Sequence, residues 1–293
     1  MIFDAPVPLA EPSLWQLCPA RLAGRMELAS EGDLRMPLVE VVLAGLGLAG
    51  VDAEPMAGGS SLPVYRVGTR DGDVFALRVA PPPLAPVLIR EAENLARARL
   101  AEVPCPRVVR TAPGPDAAFL LTTWEPGRLL GEALVSNPSA ITELAMAAGR
   151  VQAALHRTGA AAAAETCDAG WASPKSPEER ALLDACAQDG PVTFLHLDFH
   201  PFNLLVHEGA ITAVLDWVNA GVGDARLDVA RTAAALVLDG ARPDSPVAPV
   251  VPVLLRDWIR GYEDAAGRLR EMGPYLIWAG TATIRVIHKS QWA

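Results

Sequence analysis

The stretch that most limits how this chain can fold is Phe194 to Trp217, FLHLDFHPFNLLVHEGAITAVLDW. Two apolar runs, Leu204 to Val206 and Ile211 to Leu215, flank the turn-prone His207-Glu208-Gly209, which predicts a tight β-hairpin entered through a polar loop. Asp198 and Asn203 lie in the entering loop and Asp216 directly follows the second strand, so the hairpin brings three oxygen-bearing side chains toward one small volume. A hard divalent cation, which prefers oxygen ligands and keeps part of its water shell, suits such a grouping.

The chemistry that uses this grouping is phosphoryl transfer from a nucleoside triphosphate. One carboxylate orients an acceptor hydroxyl and takes its proton, while a second carboxylate and an amide hold Mg²⁺ against the phosphates. His196-x-Asp198-x4-Asn203 has the spacing of a kinase catalytic loop, and Asp216 falls where the metal-binding Asp of the D-F-G element belongs. The form His-x-Asp-x-His-Pro-x-Asn, with Leu-Asp-Trp in place of D-F-G, resembles the aminoglycoside phosphotransferase and choline kinase branch of the protein-kinase-like superfamily.

That resemblance implies an α+β, two-lobed protein-kinase-like fold: a small antiparallel-sheet N-lobe that binds ATP or GTP, and a mostly helical C-lobe. It gives Asp198 the acceptor hydroxyl and its proton, and gives Asn203 and Asp216 the Mg²⁺, with His196, His200 and Asp228 as supports. The expected organisation is an N-terminal arm and helix over 1–53, the nucleotide-binding lobe over 54–124, and the C-lobe with catalytic loop and acceptor site over 125–293.

Upstream, Gly58-Gly59-Ser60-Ser61 forms a small-residue loop ahead of two expected strands, Val64 to Val67 and Val74 to Val79. Such a loop lets backbone N–H groups approach phosphate oxygens closely. Arg78 occupies the strand position where the family carries a phosphate-binding lysine. Arginine keeps its charge and grips anions in bidentate fashion, but it is planar and bulkier. Arg78 therefore either does the lysine's task with altered geometry, or cedes it to another residue, or weakens nucleotide binding. The ion-paired glutamate of the family matches Glu91, with Glu93 as the fallback on another helix face. Pro104 to Val109 and Ala118 to Thr123 read as further strands, and Thr123-Trp124-Glu125 resembles the inter-lobe hinge whose main chain meets adenine.

Beyond Gly127 the pattern turns helical. Ala140 to Arg157 places Ile141, Leu144, Ala148, Val151 and Leu155 on one face, with His156 read as a structural histidine at its end. Gly221-Val-Gly-Asp224-Ala-Arg-Leu-Asp228 resembles the family's Gly-Asp-Pro-x-x-Asp segment, and Asp228 is expected to tie down the catalytic loop, with capping of the following helix by Asp224 or Asp228 as the competing use. Asp257, Glu263, Asp264 and Glu271 are read as solvated helix charges or as part of an acidic acceptor pocket. Leu197 stands where the branch carries glycine, which puts the loop geometry in question. Together with Arg78 it leaves open a catalytically silent kinase-like binding module.

The formal net charge of -9 excludes nucleic acid and anionic membranes as expected partners and favours a cationic acceptor bearing a hydroxyl. That acceptor is an antibiotic, with resistance as the consequence, or a metabolite such as choline, a sugar amine or an amino alcohol. The cysteines, Cys18, Cys105, Cys167 and Cys186, are widely spaced and suggest neither zinc nor disulfides. With no signal-peptide pattern in MIFDAPVPLAEP, the expected location is the cytoplasm.

Overall fold

The computed structural model describes residues 31–48, 51–56, 62–114, 117–157, 174–186, 190–241 and 248–290. They divide into two compact units, one from residues 1–96 and 106–124, the other from 97–105 and 125–293.

The first unit contains α1 (Glu31–Gly45), β1 (Ala53–Pro55), β2 (Val64–Gly68), β3 (Val74–Ala80), most of α2 (Ala85–Leu100), β4 (Val108–Ala112) and β5 (Ala118–Thr123). Its sheet is antiparallel, in the order β1-β2-β3-β5-β4. The strand expected over 104–109 begins four residues later, at Val108, and carries a bulge between Val108 and Arg110. The helix expected within 1–53 runs from Glu31 to Gly45. Val39, Val42 and Leu43 of α1 cover one face of the sheet, packing with Tyr65, Val67, Leu77, Val79, Phe119 and Leu121. Prolines follow the end of β3, and Pro86 sits in the first turn of α2, where its missing N–H would have had no helical partner.

The second unit continues with β6 (Arg128–Leu129), α3 (Leu130–Ser136), α4 (Ile141–His156), α5 (Pro177–Asp184), β7 (Val192–Leu195), β8 (Leu204–His207), β9 (Ala210–Val214), β10 (Gly221–Asp224), α6 (Ala225–Gly240), α7 (Val251–Ala266) and α8 (Gly273–Ser290). The expected hairpin is β8-β9, closed by Glu208 and Gly209 at φ 50° and 79°. Positive φ at both central positions is the turn twist that matches right-handed strands. Two features of this region were not expected. β6 pairs with β8 and extends the hairpin to three strands, and β10 pairs with β7. Gly127 allows the first: at φ 127° it passes so close to the Val206 carbonyl that a Cβ would lie 2.7 Å from its oxygen. α4 and α7 pack at Gly149 and Gly261, where a Cβ on either would overlap the backbone of the other helix.

Candidate active site

The catalytic-loop segment leaves β7 at Leu195 and enters β8 through a 3-10 turn over Pro201–Asn203. His196 holds it at the centre. Its buried ring lies edge-on to Trp217 and Phe199, at centroid distances of 4.6 and 5.7 Å. Nε2 donates to the Leu215 carbonyl (2.9 Å), and Nδ1 accepts from the Asp198 N–H (3.2 Å), a tautomer that satisfies both nitrogens. One imidazole thus joins the backbone of Asp198 to the residue immediately before Asp216. The β8-β9 ladder adds a second link, Leu215 N–H to the Asn203 carbonyl at 2.8 Å. The Asn203 amide nitrogen donates to the Asp198 carbonyl (3.0 Å) and lies 3.4 Å from Asp198 Oδ2.

Asp228 performs the loop-tying role. Buried in the first turn of α6, its carboxylate accepts from His196 N–H (3.2 Å), Leu197 N–H (2.6 Å) and His156 Nε2 (2.8 Å). Tyr262 Oη is 2.8 Å from the other ring nitrogen of His156, so His156 is structural, as read. Burial alone would raise the Asp228 carboxyl, but the His156 hydrogen bond and the charges and N–H groups around it hold it below the usual range. Capping falls to Asp224, which accepts from Arg226 N–H (2.9 Å) while pairing with the Arg226 guanidinium. Leu197 adopts φ 61°, the left-handed region that glycine would fill without strain, and its side chain turns into the core with Leu183, Leu195, Leu227, Tyr275 and Trp278. The substitution keeps the loop's turn.

A residue the sequence reading missed also reaches Asp198: Arg231 Nη2 lies 3.3 Å from Oδ1. The signal was present, since Arg231 follows Asp228 by one helical turn. His200 accepts from Phe202 N–H (3.3 Å) and lies 3.2 Å from the Asn203 amide nitrogen, and burial pushes its imidazole below the ordinary histidine range. Of the acidic residues read as a possible acceptor pocket, Asp257 pairs with Arg256 and Thr142 and Glu263 accepts from Leu269 N–H, while Asp264 and Glu271 are exposed.

In the first unit, Arg78 Nη1 pairs with Glu91 Oε2 at 2.6 Å with both side chains largely buried, while the fallback Glu93 is exposed. Thr123 N–H is bonded to the Arg107 carbonyl (2.9 Å) and Trp124 N–H to the Val74 carbonyl (3.4 Å), so both are engaged within the sheet. The Trp124 ring sits under Arg66. Glu125 begins the stretch assigned to the second unit. Gly58, Gly59, Ser60 and Ser61 lie outside the described residues.

The donors available for a cation are hard oxygens. With its nitrogen turned to Asp198, Asn203 presents Oδ1 for ligation, and Asp216 follows the strand at φ 58°. Among the described residues no group of three or more His, Cys, Asp or Glu could hold a metal by itself. An amide oxygen and a carboxylate are donors of the kind Mg²⁺ takes, one or two protein groups being usual, with phosphates and water completing the shell.

A small antiparallel sheet with a buried Arg–Glu pair, and a helical unit carrying an H-x-D-x4-N loop and a following Asp, define a kinase-like phosphotransferase. The phosphotransferase enzyme family matches residues 52–179 and 163–272, and the chain belongs to that family. No curated protein matches the sequence. Among solved structures, an aminoglycoside-3'-phosphotransferase of type VIII is 20% identical, with TM-score 0.63, over 84% of this chain and 97% of that one. The macrolide 2'-phosphotransferase MphH of Brachybacterium faecium is also 20% identical, with TM-score 0.56, over 85% and 89%. Amicoumacin kinase hAmiN, in complex with AMP-PNP, Ca²⁺ and amicoumacin, is 15% identical, with TM-score 0.62, over 89% of each chain. These likenesses show the kinase-like fold of the aminoglycoside phosphotransferase branch.

Proposed function

We propose that this enzyme moves the γ-phosphoryl group of ATP, or GTP, to a hydroxyl of a small cationic molecule. The observation that carries the reading is that His196 and the hairpin ladder hold Asp198, Asn203 and the chain at Asp216 on one rigid scaffold. Asp198 orients the acceptor hydroxyl and takes its proton as the oxygen bonds to the γ-phosphorus. The bond from that phosphorus to the bridging oxygen breaks, and the nucleoside diphosphate leaves. Asn203 and Asp216 would hold Mg²⁺, which neutralises charge on the phosphate oxygens. Arg78, fixed by Glu91, contacts phosphate oxygens; Gly58 to Ser61 and the main chain at Thr123 to Glu125 contribute to nucleotide binding. The AMP-PNP in the amicoumacin kinase supports the choice of nucleotide.

The acidic balance supports a cationic acceptor, either an antibiotic of the aminoglycoside kind or a metabolic amino alcohol. The test is transfer of radiolabelled γ-phosphate across a panel of hydroxylated amines. We expect transfer to at least one of them, and Asp198→Ala should lower turnover about 10²- to 10⁴-fold with nucleotide binding retained. Nucleotide binding without transfer to any acceptor would instead make the chain a silent kinase-like module.

A further inference from the structure

We infer that Arg231 is a positioning residue that fixes the rotation of the Asp198 carboxylate. The inference rests on the reading of Asp198 as the group that meets the acceptor hydroxyl. The two oxygens of that carboxylate face side-chain donors: Oδ1 faces Arg231 Nη2 at 3.3 Å, with His200 Nε2 further off at 3.8 Å, and Oδ2 faces Asn203 Nδ2 at 3.4 Å. Both contacts are at the long end for hydrogen bonds, so losing either leaves the side chain on a single weak tether.

Arg231 is itself held from behind. Its other terminal nitrogen, Nη1, donates to Thr283 Oγ1 (3.1 Å) on α8, and that hydroxyl spends its own hydrogen on the Ala279 carbonyl (2.7 Å). The hydroxyl oxygen therefore has a lone pair turned to the guanidinium. The planar fork lets one side chain grip α8 and Asp198 together, which an ammonium on a flexible stem cannot do in the same way.

Arg231 is only 7% exposed, and a buried cation persists where carboxylates compensate it. Desolvation pulls Arg231 below the usual arginine range, while Asp198 and Asp228 both favour its charged form. Helix α6 thereby braces the loop from one face, where Thr232 Oγ1 also donates to the Phe199 carbonyl (2.8 Å). Asp228 holds the backbone of His196 and Leu197, and Arg231, three residues on, holds the side chain of Asp198. The backbone contacts do not pass through Arg231, so its removal releases the carboxylate while the loop stays in place.

The test compares wild type with Arg231→Gln, Arg231→Lys and Thr283→Val, the last leaving the guanidinium in the chain but removing its brace. In crystal structures, the Asp198 rotamer should be kept in wild type and Arg231→Lys and lost in Arg231→Gln. In turnover, Arg231→Gln should lower kcat about 10²-fold, the scale of a misplaced reacting group. The KM for nucleotide should not change, Arg231→Lys should recover part of the loss, and Thr283→Val should show a smaller fall of the same kind. If Arg231→Gln does not fold, Thr283→Val carries both readouts. Asp198 unmoved in the folded variants, or an equal loss of kcat and nucleotide affinity, overturns the inference. Wild type that transfers phosphate to no acceptor would overturn the reading of Asp198 instead, and the rotamer comparison would still decide whether Arg231 fixes it.

Discussion

Leucine in the left-handed region is strained by about 1 to 2 kcal/mol, and Leu197 is held there at φ 61° by what surrounds it. Its N–H is fixed by Asp228 and its side chain is fully buried among Leu183, Leu195, Leu227, Tyr275 and Trp278. Burial outweighs strain: truncating a buried leucine typically costs about 2 to 5 kcal/mol, and glycine adds unfolded-state entropy. Leu197→Gly, although it restores the residue usual in the family, should therefore destabilise the protein by about 2 kcal/mol net, read by urea unfolding. A variant more stable than wild type would mean that the backbone strain is the larger effect. Arg78 gives the same lesson with charge. A guanidinium 2.6 Å from Glu91 keeps the family's strand-to-helix ion pair in a different chemical form.

At the scale of elements, the β8-β9 hairpin and the start of α6 act as one frame, joined through His196 and Asp228. That frame is sensitive to acid. The Asp228 carboxyl is held below its ordinary range by His156 and the loop N–H groups against the effect of burial, and the Asp224 carboxyl is depressed by Arg226 against the same effect. A carboxyl with a depressed folded-state pKa binds fewer protons folded than unfolded, so its stabilisation is complete above the unfolded value of about 3.9 and is lost as pH falls through the folded value. Unfolding free energy should accordingly fall steeply below about pH 4, and His156→Phe, which removes a donor to Asp228, should shift that loss to higher pH. Urea midpoints measured in parallel at neutral and acidic pH decide this; identical acid limbs in the two proteins would rule Asp228 out as their source.

For the whole molecule, the proposed function predicts that ATP with Mg²⁺ stabilises the native state. At 100 times Kd the gain is about 2.7 kcal/mol, seen as a rise in Tm that EDTA abolishes if Asn203 and Asp216 hold the ion. A Tm indifferent to EDTA would take the metal away from those two residues. Much of this protein is written locally. The hairpin with its Glu208-Gly209 turn, the β2, β3 and β5 strands, and α4 with its apolar face all follow from periodicity and turn chemistry within a few neighbouring residues. The spacing of His196, Asp198 and Asn203 is local too, which is why the loop could be found before any fold. Only the tertiary structure decided that β10 returns to β7, that β6 joins the hairpin, and that Arg231 meets an Asp198 lying 33 residues earlier in the chain. It also decided that Asp228 braces the loop while Asp224 caps the helix, and that Leu197 can stand in for glycine. The physical reason is the same in each case. A backbone preference is set by a residue and its neighbours, whereas the partner of a buried charge, or the cavity that accepts a side chain, exists only once distant segments have packed.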